Sequence, residues 1–143
     1  MDGGSAVLSG FLDTSVVVRY LTGDPPAMAA AARSIIELGK DLILTEAVIA
    51  EIAFVLEDTY RVPRPETVEN LTQLLLRQNI RVYGRDKKTV VFALQMCSTS
   101  RRVSYVDALL WAAAGASETP TVYTFDQRFP DNNIRTSEAL EEG

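Results

Sequence analysis

The feature that most constrains the fold of this chain is the regular alternation of strand-like and helix-like segments along its length. Short apolar runs that suit buried strands are separated by longer stretches whose apolar residues recur at helical spacing. Strands that alternate with helices are typical of α/β domains built around a mostly parallel sheet. The sequence therefore predicts a three-layer α/β/α domain with a mostly parallel central sheet.

The predicted elements follow one another without repeats or an interdomain linker. Strands are predicted within residues 6–13, 41–45, 80–84 and 121–125, with a short further segment at 133–136. Helices are predicted at 15–21, 26–39, 45–60, 66–78, 86–100 and 104–116, with Thr45 and Asp86 as N-caps. Because 143 residues can bury a proper core, we expect a single domain over residues 1–143, with residues 1–7 as a flexible lead.

The lack of histidine excludes several classes of chemistry. The chain has no histidine and a single cysteine, Cys97. This composition excludes catalysis by Ser-His or Cys-His pairs, and it excludes metal sites built from histidines or several thiolates. We expect Cys97 to fill the core. An internal disulfide is impossible, which fits a reducing compartment such as the cytoplasm. The carboxylate remains as the versatile chemical group.

Charge and hydropathy limit the partners of the chain. The net charge is −5, which argues against indiscriminate binding of nucleic acid through phosphate contacts. No apolar run approaches the roughly 20 residues that a membrane-spanning helix needs, and the N-terminus lacks the basic start of a signal peptide. We therefore expect a cytoplasmic protein without a membrane partner.

Four carboxylates stand at positions that suit a functional site, although each also has a structural explanation. Asp13 and Asp126 end predicted strands, where an aspartate also serves as a helix cap or a turn residue. Glu51 lies past the first turn of a largely apolar helix, where a glutamate at the edge of the apolar face also reaches solvent. Asp107 comes three residues after Ser104, a spacing that also suits a capping box.

These positions predict that the four carboxylates share one edge of the sheet. In a parallel sheet, the carboxyl ends of the strands and the starts of the following helices lie at the same edge, where ligands bind. Two like charges about 4 Å apart repel by roughly 4 kcal/mol at an effective dielectric constant near 20, so such a group needs a divalent cation or protonation. Oxygen ligands favour Mg²⁺ or Mn²⁺. The sequence therefore predicts a metal site.

Four segments around these carboxylates resemble the motif blocks of PIN-domain ribonucleases. The segments are FLDTSVVVRYL, LTEAVIAEIAFVL, YVDALLWAAA and VYTFDQRF, and the likeness runs from about residue 8 to 136. It is closest to the VapC-type toxins of bacterial toxin–antitoxin pairs. The resemblance implies a catalytic acidic pocket for Mg²⁺ or Mn²⁺ formed by Asp13, Glu51, Asp107 and Asp126. It also implies endonucleolytic cleavage of RNA, a homodimer and a small cognate antitoxin that covers the site.

In the mechanism that this resemblance suggests, the acids hold one or two ions that activate a water and stabilise charge on the scissile phosphate. Glu51 would bind the ion directly or through a water. Polar neighbours expected to hydrogen-bond around the acids are Thr14, Ser15, Thr45 and Thr124. Candidates for contacts with RNA phosphate, each of which also suits a solvated surface, are Arg19, Arg101, Arg102 and Arg128.

Two other functions stay open at this point. An aspartate-nucleophile phosphohydrolase of the haloacid dehalogenase kind also places an aspartate at position 13, but Ser15 stands where that class has a second aspartate. A non-catalytic interaction module of the same fold would be free to lose an acid, whereas all four motif carboxylates are present. Binding of a divalent ion distinguishes an intact site from such a module.

Overall fold

A computed structural model describes residues 8–138 of the chain; the predicted flexible lead at residues 1–7 lies outside the described residues. The strands are β1 (Ser9–Phe11), β2 (Asp41–Leu44), β3 (Ile80–Val82), β4 (Thr121–Tyr123) and β5 (Arg135–Ser137). The helices are α1 (Thr14–Thr22), α2 (Pro26–Leu38), α3 (Glu46–Asp58), α4 (Arg64–Leu75), α5 (Lys87–Ser98) and α6 (Tyr105–Gly115). Within the described residues, no helix has the length and apolar character needed to span a bilayer.

The strands pair in parallel. β1, β2 and β3 are neighbours in that order, so that Phe11 lies opposite Ile43 and Ile43 lies opposite Arg81. β4 pairs with β5, again in parallel. The predicted α/β class with parallel strands is therefore confirmed, and the strands divide between a three-stranded and a two-stranded sheet rather than forming one central sheet.

The three-stranded sheet is buried on one face and largely exposed on the other. The buried face carries Leu42, Leu44, Ile80 and Val82. On the opposite face Phe11 and Arg81 are exposed, and Ile43 between them is buried. The connections from β1 to β2 and from β2 to β3 run in the same direction, and right-handed crossovers of this kind place their helices, α1–α4, on one face of the sheet. The helices therefore cover the face that carries Leu42 and Leu44, which packs against the core.

Helices begin at the residues that the sequence favours. Thr45 N-caps α3, because its hydroxyl accepts a 3.2 Å hydrogen bond from the backbone N–H of Val48. Asp86 N-caps α5 in the same way. α4 begins at Arg64, slightly before the predicted start, since Pro65 suits the first turn of a helix. The predicted caps of α3 and α5 are confirmed.

The helices enclose a continuous apolar core. Its largest fully buried side chains include Ile36, Leu44, Ile49, Ile52, Leu56, Leu71 and Leu94. Cys97 is a buried free thiol, as predicted. Burial raises the pKa of this thiol to about 11, so it stays protonated and unreactive at neutral pH.

Truncation of one buried leucine tests the placement of α5. Leu94→Ala should lower the free energy of unfolding by about 2–5 kcal/mol, because it leaves a cavity in the core. Leu38→Ala is the matched control, since Leu38 on α2 is 67% exposed and its truncation should cost less than about 0.5 kcal/mol. Urea unfolding measures both values. Equal losses in the two variants would contradict the burial of α5.

Candidate active site

Asp13 directly follows β1 and N-caps α1. Its Oδ2 atom accepts a 2.6 Å hydrogen bond from the Ser15 hydroxyl and a 3.3 Å bond from the Ser15 backbone N–H. The Ser15 hydroxyl, and then the backbone N–H, stabilise the ionised carboxylate and so lower the pKa of Asp13 below its ordinary value. Since Asp13 is exposed, capping and binding of an ion are compatible roles for it.

Thr14 links the start of α1 to the middle of α3. Its hydroxyl donates to Oε1 of Glu51, although the two residues are 37 positions apart in the chain. Thr14 is buried, whereas Glu51 is exposed. Because Thr14 follows Asp13 directly, this hydrogen bond holds Glu51 at the carboxyl end of β1. The structure therefore brings two of the four candidate carboxylates to the same edge of the sheet.

Asp107 is held in the first turn of α6. Its backbone N–H donates to the Ser104 hydroxyl at 3.0 Å, so Ser104 is the N-cap that the capping-box spacing predicts. The Asp107 side chain is partly buried, and α6 packs against α3, the helix that carries Glu51. The cap therefore fixes the start of α6 and, with it, the backbone that carries the Asp107 carboxylate.

Arg64 holds the loop that leads into α6, a role that the sequence analysis missed. Its Nη1 atom donates to the backbone oxygens of Ser100 at 2.9 Å and Val103 at 2.7 Å. Its Nε atom contacts Glu57 Oε1 at 3.2 Å, and its guanidinium lies 4.6 Å from the centre of the Tyr105 ring. These partners are distant in sequence, so no local pattern indicates the role. Arg64 thus helps to position the N-terminus of α6.

A cavity of about 380 Å³ lies between α3 and α6. Ala50 and Phe54 of α3 and Val106 of α6 contribute to its walls. Burial and the neighbouring Glu57 carboxylate raise the pKa of Tyr105, another lining residue, so its phenol stays protonated. The cavity thus lies between the two helices that carry Glu51 and Asp107, although neither of these carboxylates lines it.

Asp126 lies in a hydrogen-bonded turn after β4. Its backbone N–H donates to the Thr124 hydroxyl at 3.0 Å, and its Oδ1 accepts the backbone N–H of Arg128 at 2.9 Å. The Arg128 Nε atom lies 3.8 Å from the same oxygen, but both side chains are well exposed, so this ion pair contributes little. The turn-residue explanation of Asp126 is therefore confirmed, and its carboxylate remains at the surface.

In the part of the chain that the structure describes, helices that carry candidate acids pack together, but the carboxylates do not form a tight cluster. Asp13 and Glu51 are joined through Thr14, and α6 brings Asp107 against α3. Across residues 8–138, however, no three acidic or cysteine side chains stand close enough together to hold a metal ion as they are placed. The donor chemistry, which is entirely carboxylate and hydroxyl oxygen, does fit Mg²⁺ or Mn²⁺. The four-carboxylate metal site therefore stays a prediction.

The predicted polar and basic neighbours divide into two groups. Thr14 and Ser15 bond directly to candidate carboxylates, whereas Thr45 caps α3 instead. Arg19 donates to the backbone oxygen of Ser15 at 3.2 Å and to the Met28 Sδ atom at 3.4 Å, so its guanidinium bonds within α1 and to α2. Arg101, Arg102 and Arg128 are exposed. Arg128 thus contacts a candidate acid, since its Nε atom lies 3.8 Å from Asp126 Oδ1.

The fold and these residues define an α/β domain with acidic side chains at and beside the carboxyl ends of parallel strands. The PIN domain family matches residues 10–134, and the chain therefore belongs to this family. PIN domains are generally nucleases that depend on divalent metal ions. No curated protein and no solved structure matches the chain significantly.

The hydrogen bond from Ser15 to Asp13 has a consequence for titration. Ser15→Ala removes the hydroxyl donor, so the pKa of Asp13 should rise towards the ordinary value of an exposed aspartate. The carboxyl carbon shift of Asp13, followed by NMR from neutral to acidic pH, measures this change. Because the folded-state pKa is lowered, any stabilisation from this group is present at neutral pH and is lost as the pH falls through that pKa.

Ser34→Ala is the control for this titration. The Ser34 hydroxyl donates to the backbone oxygen of Ala30 on α2, away from Asp13, so its removal should leave the titration of Asp13 unchanged. An unchanged pKa in Ser15→Ala would mean that the serine hydroxyl does not stabilise the carboxylate.

Proposed function

We propose that the chain is a metal-dependent endoribonuclease that acts as the toxin of a type II toxin–antitoxin pair. The observation that carries the proposal is the Thr14–Glu51 hydrogen bond, which joins an acid of α3 to the end of β1 in a domain of the PIN family. A glutamate recruited to this edge beside Asp13 supports a site for a cation and a phosphate.

The proposed ligands of the ion are Asp13, Glu51, Asp107 and Asp126. When bound, a divalent ion supplies Lewis acidity for the phosphoryl oxygens and lowers the pKa of a coordinated water. The chain contributes the charge and position of its own groups. Ser15 favours ionised Asp13, Thr14 orients Glu51, and Ser104 and Thr124 hold the backbone at Asp107 and Asp126.

The proposed substrate is RNA. Arg128 stands next to Asp126, where a guanidinium can bind a phosphate that approaches the acids, and Arg19 lies on α1, the helix that Asp13 caps. Arg101 and Arg102 lie in the exposed loop before α6 and extend the basic residues on that side of Asp107. These basic residues therefore support binding of a polyanion by a chain whose net charge is negative.

The proposed partners are a second copy of the chain and a small antitoxin that covers the acidic site. Three exposed apolar side chains support an interface on α3 and α6: Phe54, Val106 and Leu110. We further propose that residues 1–143 form one domain and that the protein acts in the cytoplasm, where a free buried thiol such as Cys97 is stable.

Substitution of single carboxylates tests the nuclease activity. Asp13→Asn and Asp107→Asn keep the size of each side chain but remove its charge, so we expect each to lower RNA cleavage by at least about 100-fold, or about 2.7 kcal/mol of transition-state stabilisation. Sequencing of RNA ends after induced expression, together with growth, measures the loss.

Asp41→Asn is the matched control. Asp41 begins β2, at the opposite end of the strands, and its ion pair with Arg81 is about half exposed, so this substitution should leave cleavage unchanged. Full activity of purified Asp107→Asn would reject the assignment of Asp107, and cleavage that is independent of all four acids would reject the proposed site.

Divalent-ion binding separates this proposal from a non-catalytic module of the same fold. A ligand at about 100 times its Kd stabilises a protein by about 2.7 kcal/mol, so millimolar Mn²⁺ should raise Tm by several degrees. Differential scanning calorimetry measures the shift, which should largely vanish in Asp13→Asn and persist in Asp41→Asn. Equal shifts in all three proteins would indicate that Mn²⁺ binds elsewhere.

A further inference from the structure

The turn after β4 exposes an aromatic ring directly beside a candidate acid. Phe125 precedes Asp126, and its side chain is 87% exposed. Transfer of a phenylalanine ring to water is unfavourable, although isolated exposed apolar residues are common and need no special explanation. The position of this ring therefore has meaning only if the turn is well held and if other features point to a ligand.

Three hydrogen bonds within the turn show that it is well held. Asp126 donates its backbone N–H to Thr124, and its Oδ1 accepts the backbone N–H of Arg128 at 2.9 Å. The backbone N–H of Phe129 donates to the backbone oxygen of Asp126 at 3.1 Å, and the Phe129 ring is buried. A buried ring thus anchors one end of the turn while Phe125 points outward from the other.

Further exposed aromatic side chains follow the other strand ends. Phe11 ends β1, Tyr123 ends β4, and Tyr83 comes directly after β3; each is between 61% and 66% exposed. The Phe11 and Tyr83 rings lie 5.6 Å apart, across the open face of the sheet. Flat apolar surfaces therefore recur at the carboxyl ends of strands in both sheets, close in sequence to Asp13 and Asp126.

The charge of the protein makes such surfaces relevant to RNA. A net charge of −5 weakens the phosphate contacts on which most nucleic-acid binding depends. Stacking of a base on an aromatic ring is insensitive to this charge, and each stacked base contributes a sizeable share of the affinity for single strands. In an acidic nuclease, aromatic rings next to the reacting groups therefore add affinity for RNA that does not depend on charge.

We propose that Phe125 is a positioning residue whose ring stacks on an unpaired base of the RNA, next to the phosphate that reaches Asp126. This inference rests on the proposed function and deepens it. Arg128, which stands by the same carboxylate, contacts a neighbouring phosphate of the strand. Because both faces of a base are covered in a duplex, the ring selects single-stranded segments.

The test compares Phe125→Ala and Phe125→Trp with the unchanged protein. Each is assayed for cleavage and, by fluorescence anisotropy, for binding of short unstructured RNAs and of the same RNAs annealed to their complements. Phe125→Ala should raise both KM and Kd about tenfold, equivalent to about 1.4 kcal/mol, with kcat little changed. Phe125→Trp should restore both values, since the larger ring still stacks. The salt dependence of Kd should be the same in all three, because no charge is altered.

Phe92→Ala is the matched control. Phe92 is 62% exposed on α5, away from the strand ends, and stacks on Trp111 at 5.5 Å. Its loss should reduce Tm and leave KM unchanged. An equal rise of KM in Phe92→Ala and Phe125→Ala would overturn the inference, because it would reflect loss of stability rather than loss of a stacked base.

The remaining outcomes separate the inference from the proposed function. If the unchanged protein cleaves RNA and Phe125→Ala has the same KM, the inference about Phe125 is overturned and the proposed function stands. Dissociation of an oligomer in Phe125→Ala, seen as a lower molecular mass in solution without a rise in KM, also overturns the inference, because the ring would then be a contact between protein chains. Binding of RNA that depends on Phe125, without cleavage, supports the stacking role and rejects the nuclease. Absence of both binding and cleavage rejects both proposals.

Discussion

Burial of one face of the parallel sheet is the constraint on which the rest of this structure depends. Since β1, β2 and β3 are laid down in order, right-handed crossovers bring α1–α4 to a single face, where Leu42, Leu44 and Ile80 are removed from water. The same connectivity sends the carboxyl ends of the strands to one edge. Glu51 reaches Thr14, the residue after Asp13, at that edge because α1 starts where β1 ends and α3 packs alongside α1. The position of the candidate site is thus a consequence of how the core is covered.

Structural roles and the proposed functional roles coincide in the candidate acids. Asp13 caps α1, the backbone of Asp107 is capped by Ser104, and Asp126 organises a turn. Each of these arrangements fixes the backbone at the carboxylate, and none removes the side chain from the surface altogether. A residue that satisfies a helix terminus is therefore also one whose carboxylate is held in a defined direction, which suits the binding of an ion or a phosphate.

The surface around this edge combines acids, a few arginines and exposed aromatic rings. The acids concentrate negative charge, so the proposed binding of RNA would depend on local cations such as Arg128 beside Asp126 and on contacts without charge. Exposed rings at the ends of β1 and β4 supply surfaces of the second kind. In the proposed ribonuclease, specificity for RNA would then depend on shape and stacking more than on overall electrostatic attraction.

The sequence by itself determined the order of the elements, the α/β class, the caps at Thr45, Asp86 and Ser104, and the burial of Cys97, because each follows from local spacing or from the chemistry of one side chain. Tertiary structure alone decided which distant groups meet. The bond between Thr14 and Glu51 and the hold of Arg64 on the loop before α6 join residues that are tens of positions apart, and no local pattern encodes such contacts. Tertiary structure also decided that one sheet face stays open at Phe11 and Arg81, since this depends on the direction in which the crossovers advance.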